Sequence, residues 1–536
     1  MAGSRLALFF ALFVAATACS LFKSSVRSSA DLWHPDERVM TYIVLDRFTG
    51  SAPMALEWPA GPLQIAGVPL IAADFAARHP ITADSLIQYL GEAYRHPWHT
   101  IVLLRWVVAV CCAFGLALFG VALFRATGDV ALAAAATLTC ATIPLFWQHS
   151  RAATGDAMSV GFAFAALALS ANARSTLALA VSGVLFGLAT ASKYPIAMVA
   201  PMLFVVAGEA SDREPMRLAK AMLVLALGIA LGLIVTIPHL WADPMRLLKS
   251  VGGAVSRPGG AAGPVGSFRL LISLFPFWVG IVLLAGVITA ALLKRIWFAT
   301  ALLFSILLQL LVIGRVGVFY PRYLLGFTVL TGLALFASVQ WLIRRPRAVY
   351  WGGLSLLTLC VLSNLITDVR LASRTSRPSR TTIAAAIREV TAADPSLKVV
   401  ALSWFDVYDG YEFASPASLQ RLAASCGDAL AAEIHGDARL NIAAPPSLVR
   451  YLPSVFSDDE QTCAARALVM SAVPAAPPEI DLVVWDTDDQ ARRCGLQTLT
   501  TVLADRKAGK IGVIISRRPL PGQTPTYVWS NGLTAY

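Results

Sequence analysis

Apolar runs long enough to cross a lipid bilayer recur through the first two thirds of this sequence, and no single water-soluble core could bury so many of them. Residues 101–124, 270–293 and 323–341 are three examples. A bilayer core is about 30 Å thick, so a spanning helix needs roughly 20 apolar residues. Inside it every backbone N–H and C=O must be paired within the chain, which leaves the helix as the form for such runs. Eleven spans are read: 6–22, 101–124, 130–146, 157–171, 176–191, 196–208, 221–237, 270–293, 297–313, 323–341 and 349–366. The fifth and sixth are short and could be one long bent helix, which would change the parity; Pro195 between them favours a break, because proline interrupts a helix and pushes the residue before it toward extended geometry. The run 63–77 is also apolar, but it contains Pro69 and Asp74 and reads as a helix lying in the interface. Arg5, the apolar stretch behind it and Cys19 would suit a cleaved signal; with so many spans following, the segment reads as an uncleaved first span.

Only 14% of residues are charged, and the formal net charge is +11. The sequence contains none of the motifs of a nucleic-acid-binding protein, so the positive charge is assigned to the ends of spans and their anionic lipid headgroups. With the N-terminus in the cytoplasm, inside loops hold Arg125, Arg174, Arg213, Arg217, Lys220, Lys294, Arg295, Arg344, Arg345 and Arg347. The short outside loops hold only Arg151, Lys193, Arg315 and Arg322. That asymmetry follows the positive-inside rule. It places the first loop, residues 23–100, and everything after the eleventh span outside. All seven histidines then fall outside as well. The spans themselves carry almost no ionisable groups, which argues against an ion or proton relay through the bilayer. Chemistry is expected at the outer membrane surface.

Residues 370–536 form a second region in which charge returns. Residues 398–404, 480–485, 510–516 and 526–529 read as buried strands, being β-branched runs bounded by turn residues. Residues 381–392, 415–433 and 460–471 read as helices. Together they predict an extracytoplasmic α/β domain of about 160 residues. One disulfide can form among Cys426, Cys463 and Cys494. Cys19, Cys111, Cys112, Cys140 and Cys360 lie in or beside apolar runs and read as small core residues. Residues 256–266 are glycine- and proline-rich and read as a flexible loop able to order over a substrate.

Four short segments in the outer loops carry the unusual polar residues. The first is His34-Pro35-Asp36-Glu37, where two adjacent carboxylates sit just beyond a span; a solvated Pro-Asp turn is the plain alternative. The second runs from His149 through Arg151 to Asp156, which could equally be an acid favouring the N-terminus of the next helix. The third is Ser192-Lys193-Tyr194-Pro195, whose lysine could snorkel to headgroups. The fourth, residues 314–323, pairs Arg315 and Arg322 with Tyr320 and Tyr323: an interfacial belt, or a grip on phosphate.

In this order the segments resemble the GT-C superfamily of glycosyltransferases, in the branch of the protein O-mannosyltransferases and the lipid A aminoarabinose transferase. The matching features are His34-Pro35-Asp36-Glu37, the aromatic-Pro segment at Trp58-Pro59, Ala153-Thr154-Gly155-Asp156, Lys193-Tyr194 after a Gly-Leu-Ala-Thr run, and Pro321-Arg322-Tyr323-Leu324-Leu325. The resemblance spans residues 1–369 and leaves out the C-terminal domain. It implies sugar transfer from a polyprenyl-phosphate donor to a lipid, polysaccharide or protein acceptor, with inversion, on the extracytoplasmic face of a bacterial cytoplasmic membrane. The enzyme would be a hexosyl- or pentosyltransferase.

The chemistry asks for little. Phosphate leaves readily once its charge is held, so one carboxylate base and a set of cationic clamps suffice, without the paired acid and base of a glycosidase. By resemblance Asp36 is the general base, Glu37 supports it, and Asp156 is the second outer-loop acid. Lys193, Tyr194 and Arg322 are candidates to hold the donor phosphate, followed by Arg151 and Arg315, with His34 and His149 close by in sequence. No metal motif is matched and no cofactor is expected to be obligatory, although Asp36, Glu37, Asp156 and the histidines are of types that bind a divalent cation. A transporter or flippase of lipid-linked saccharides and a noncatalytic relative are the alternatives.

Overall fold

The structure, a computed structural model, describes residues 2–21, 36–48, 61–95, 97–173, 175–210, 215–237, 244–245, 249, 268–269, 271–272, 274–314, 321–375, 389, 399–401, 480–485, 503–504, 506–509, 511–516, 520, 522–528 and 534–535. They fall into two compact units. The first comprises residues 1–27, 36–77 and 100–374, and the second residues 28–35, 78–99 and 375–536.

The first unit is helical. Its elements are α1 (Ala2–Leu21), α2 (Asp36–Phe48), α3 (Gly61–Arg78), α5 (Trp98–Thr127), α6 (Val130–Ala141), α7 (Pro144–Ser150), α8 (Gly155–Ala171), α9 (Thr176–Ser192), α10 (Ala200–Ala210), α11 (Pro215–Thr236), α12 (Phe277–Leu292), α13 (Ile296–Ile313), α14 (Gly326–Leu342) and α15 (Arg347–Thr375), while α4 (Ala83–Arg95) belongs to the second. The described residues of the expected runs are mainly helical. Among the described residues five helices are long and apolar enough to cross a membrane, or six if the bent pair α6–α7 is one span, and further apolar helices are shorter.

Several of the runs are not straight helices, and in two of them the role of proline is plain. The run 130–146 is bent by 72° between α6 and α7. Pro144 opens α7, and Ile143 before it takes ψ 121°, the extended geometry that a following proline imposes. Residues 147–150, expected in an outer loop, therefore continue the chain as helix. Likewise Pro195 sits in a 3-10 turn, Tyr194–Val199, that precedes α10. The interfacial reading of 63–77 meets a helix, α3, whose Gly67 faces Val44 of α2 and Leu104 of α5.

A close helix contact joins α9 and α11. Gly183 and Gly187 face Gly228 and Gly232, and a Cβ on Gly187 would lie 2.4 Å from the Ile229 carbonyl oxygen. Small residues spaced four apart let the two backbones approach as they do in membrane bundles, where packing and not hydrophobic exclusion joins helices.

The described residues of the C-terminal region form a five-stranded sheet: β1 (Val399–Ala401), β2 (Ile480–Trp485), β3 (Ile511–Ser516), β4 (Tyr527–Val528) and β5 (Thr534–Ala535). The order is β1-β2-β3-β5-β4. The first three strands are parallel, with Val400 opposite Val483 and Val483 opposite Ile514; β5 joins β3 antiparallel, pairing Ala535 with Ile515. All four expected strands appear, and β5 is an addition too short to show in the hydrophobic pattern. The expected helices 415–433 and 460–471, nearly all of 381–392, the three cysteines and the loop 256–266 lie outside the described residues.

Candidate active site

Glu37 is the second residue of α2 and is fully buried. Its carboxylate accepts two hydrogen bonds from Arg105 of α5, at 2.7 Å from Nε and 2.8 Å from Nη2, and a third at 2.8 Å from the backbone N–H of Ala153. A bidentate guanidinium and a backbone donor satisfy a buried carboxylate well. They also tie α2 and α5 to the turn 151–154. Glu37 is thus the anchor that places the start of α2, and Asp36 is the first residue of that helix. The Asp36 side chain, His34 and Arg315 lie outside the described residues.

The same turn leads directly into Asp156, buried in the first turn of α8. Its carboxylate takes an ion pair from Lys193 Nζ at 2.9 Å, and Arg322 Nε stands 3.9 Å away. Lys193 closes α9 in an extended conformation ahead of the 3-10 turn, with its ammonium 5.6 Å from the centre of the Tyr323 ring. Arg322 lies in a second 3-10 turn, Pro321–Leu325, that feeds α14. Three segments far apart in sequence therefore meet with one carboxylate and two cations. The acid holds the cations in place. Such a cluster is suited to an incoming phosphate, which can take hydrogen bonds from ammonium and guanidinium alike.

Tyr194 begins the 3-10 turn and packs beside Ala191 and Ile237. His149 is buried in the last turn of α7. Arg151 is buried too, its guanidinium 3.9 Å over the ring of Trp147, whose indole N–H donates to the Cys19 carbonyl at 2.6 Å. Burial pushes the Arg151 pKa down, to about 9, against the attraction of Asp368. Of the expected site residues, Glu37, Arg151, Asp156, Lys193 and Arg322 gather around the turn and its immediate neighbours.

Arg105 and Asp368 escaped the sequence reading. Arg105 is visible as a lone arginine in an apolar run, and such a charge demands an interior partner. Asp368 lies just past the apolar stretch of α15. Among the described residues no three His, Cys, Asp or Glu side chains are grouped to hold a metal ion.

A separate cavity of about 300 Å³ sits at the opposite ends of the same helices, lined by Asn172 after α8, Glu209 of α10 and Gln340 of α14. There Arg295 pairs with Glu209, donates to Gln340 at 2.7 Å and lies over Phe298. Along α8, at 1.5 Å per residue, it is about 25 Å from Asp156.

Comparison with known proteins bears on the first unit. The profile of the dolichyl-phosphate-mannose-protein mannosyltransferase family matches residues 98–241. No curated protein sequence matches the chain. Among solved structures, ArnT from Cupriavidus metallidurans bound to undecaprenyl phosphate is 15% identical, with a TM-score of 0.45, covering 100% of this chain and 98% of that one. The oligosaccharyltransferase AglB from Archaeoglobus fulgidus, in complex with an inhibitory peptide and a dolichol-phosphate, is 12% identical with a TM-score of 0.38, covering 95% of this chain and 69% of that one. The matched segment holds Arg151, Asp156, Lys193 and Tyr194, and over it the chain resembles the dolichyl-phosphate-mannose-protein mannosyltransferase family.

Proposed function

We propose that this protein transfers a hexosyl or pentosyl group from a polyprenyl-phosphate donor to an acceptor hydroxyl at the extracytoplasmic face of a bacterial cytoplasmic membrane. The observation that carries the reading is the convergence of Lys193 and Arg322 on Asp156, within 3.9 Å, beside the turn that grips Glu37. The family profile over residues 98–241 supports it from the sequence side.

In the proposed reaction Asp36 accepts the proton of the acceptor hydroxyl. The freed oxygen attacks the anomeric carbon from the face opposite the phosphate. The bond from that carbon to the phosphate oxygen breaks, and its electron pair leaves on the polyprenyl phosphate, whose charge Lys193 and Arg322 hold. Configuration inverts because attack and departure occur on opposite faces. Asp156 keeps the two cations in position while the site is empty. Glu37 fixes the helix that carries Asp36. Cations already aimed at the departing charge lower the barrier because they need no reorganisation during the reaction. No step calls on a metal, so transfer is expected to survive chelator treatment. The eleven-span topology and an outside α/β domain that handles the acceptor (a lipid, polysaccharide or protein) belong to the same proposal.

The test is transfer of label from radioactive polyprenyl-phosphate sugars in membranes carrying wild type or Asp36→Asn, followed into lipid, glycan and protein fractions. Transfer by wild type and its loss in the variant at equal expression is the expected result. Equal transfer by both would remove Asp36 as base. No transfer by either, over a broad donor panel, would overturn the reading.

A further inference from the structure

The cavity of about 300 Å³ at the helix ends away from Asp156 has no part in the proposed transfer, yet five helices converge to build it: α5, α8, α10, α13 and α14. Its walls are largely apolar, with Phe119, Phe298 and Phe336 among them. Its polar lining is Arg125, Asn172, Glu209, Arg295 and Gln340. Ligand pockets span about 300–1,000 Å³, so this one has room for a small polar group and not for a whole lipid.

The polar groups are not equivalent. Arg295 is already used: its guanidinium pairs with Glu209, with Nε at 3.1 Å, and its Nη1 donates to Gln340 Oε1 at 2.7 Å. The second of these bonds orients the Gln340 amide. Its oxygen faces Arg295, and its two N–H groups are left to donate. Asn172 spends an amide N–H on the Ala168 carbonyl at 2.9 Å. Arg125, in the last turn of α5, is exposed and has no ion-pair partner among the described residues. The cavity therefore offers one uncommitted guanidinium and one amide donor beside aromatic walls.

The charge balance narrows the ligand. Two arginines against one glutamate leave a single positive charge in the lining. Four of the five helices, α5, α8, α10 and α14, arrive by their C-terminal ends, whose carbonyls carry partial negative charge. One anionic charge is neutralised here, and a second would be repelled. A phosphodiester monoanion fits. A phosphate monoester carries roughly 1.5 to 2 negative charges at neutral pH and fits poorly. The surroundings point to a lipid as the bearer of that group: Ile296 and Trp297, which follow Arg295 on α13, are exposed apolar side chains suited to acyl chains. On the topology proposed above, these helix ends lie at the cytoplasmic leaflet, where basic pockets between spans receive anionic headgroups.

We propose that the cavity is a headgroup site for a singly charged anionic glycerophospholipid such as phosphatidylglycerol. Arg125 and the Gln340 amide hold its phosphodiester, and its acyl chains run along the apolar surface of Ile296 and Trp297. The site lies outside the transfer chemistry and goes beyond it.

In the experiment the full-length protein is purified in detergent and stripped of lipid. Its unfolding temperature is followed as phosphatidylglycerol, phosphatidylcholine or the deacylated headgroup glycerophosphoglycerol is added. Phosphatidylglycerol is expected to raise the temperature with a saturable midpoint. Phosphatidylcholine, the same phosphodiester with an added cation, is expected to raise it little, and the free headgroup not at all at equal concentration. Arg125→Gln is expected to weaken the phosphatidylglycerol midpoint by about 10-fold or more, the loss for one charge-assisted hydrogen bond. Arg125→Lys keeps part of the binding, because it keeps the charge. Ala126→Trp, which fills the cavity from an exposed lining position, weakens binding without touching a charge. Arg347→Gln, at an exposed arginine that does not line the cavity, binds as wild type. Equal midpoints for wild type, Arg125→Gln and Ala126→Trp would overturn the site. Equal stabilisation by the two lipids would overturn its charge selectivity, and saturation by the free headgroup would overturn the lipid in favour of a soluble phosphodiester. No readout requires sugar transfer, so failure of the transferase reading and failure of this site are separate results.

Discussion

Glu37 and Arg105, 68 residues apart in sequence, meet in a buried two-point ion pair at 2.7 and 2.8 Å. Because the Ala153 N–H also binds Glu37, the pair joins three pieces of chain. Its first consequence is for stability. Glu37→Gln leaves a buried guanidinium without its counter-charge, and breaking a buried pair in this way costs about 3–5 kcal/mol. A large drop in unfolding temperature is expected for Glu37→Gln and for Arg105→Met alike. Asp36→Asn, which alters a neighbouring acid, is expected to keep the wild-type unfolding temperature while losing transfer. Equal thermal losses in all three variants would contradict this separation of anchor from base.

The cation pair at Asp156 gives a kinetic prediction. Charge-assisted hydrogen bonds are worth about 1.5–3 kcal/mol, or roughly 10- to 150-fold in binding. Lys193→Gln and Arg322→Gln are each expected to raise the donor KM by about that factor. Arg322→Lys is expected to restore little, because a point charge does not reproduce the planar fork of guanidinium. Asp156→Asn is expected to lower kcat/KM while leaving the cations present. Steady-state transfer with varied donor measures all four. A lysine variant with unaltered donor KM would place the phosphate elsewhere.

The close approach of α9 and α11 predicts a packing defect. A Cβ on Gly187 meets the Ile229 carbonyl oxygen at 2.4 Å and the Gly232 Cα at 3.0 Å. Both are backbone atoms, so nothing flexible can give way. Gly187→Leu is expected to separate the helices and cost about 1–3 kcal/mol or more. Lys193 ends α9, so donor binding is expected to weaken with it. The yield of monodisperse protein on size exclusion, with donor KM on whatever folds, checks both effects. Gly280 is the control, since a Cβ there meets nothing within 4 Å; Gly280→Ala is expected to behave as wild type.

The helical runs and strands were legible because hydrophobic length and β-branched alternation are local properties. The bend at Ile143–Pro144 was legible only in part: proline announces a break, but its 72° angle depends on what the two halves pack against. At the site, Asp156, Lys193 and Arg322 could be named from sequence because each sits at a helix end beside an apolar run, where charges stand out. That they meet is a fact of tertiary structure, and no spacing in the chain encodes it. Asp368 was missed for the converse reason: at the exit of a long helix an acid reads as solvated. Only packing of that helix face against the α6–α7 bend shows it to be buried.

The final prediction concerns the two sides of the membrane. Arg345 lies in the short turn between α14 and α15, stacked on the Trp341 ring with its Cζ 4.1 Å from the ring centre. It belongs to the set of arginines that the positive-inside rule assigns to the cytoplasm. Ala60 precedes α3 in the loop assigned outside, and Lys507 is an exposed residue before β3. Native cysteines such as Cys112 and Cys140 are buried. Introduced cysteines can therefore be read above that background. In intact cells, a membrane-impermeant maleimide is expected to label Ala60→Cys and Lys507→Cys but to reach Arg345→Cys only after permeabilisation. Labelling of Ala60→Cys and Arg345→Cys from the same side would sink the odd number of spans between them. Protection of Lys507→Cys in intact cells, with Ala60→Cys labelled, would return the C-terminal sheet to the cytoplasm and separate it from the acceptor.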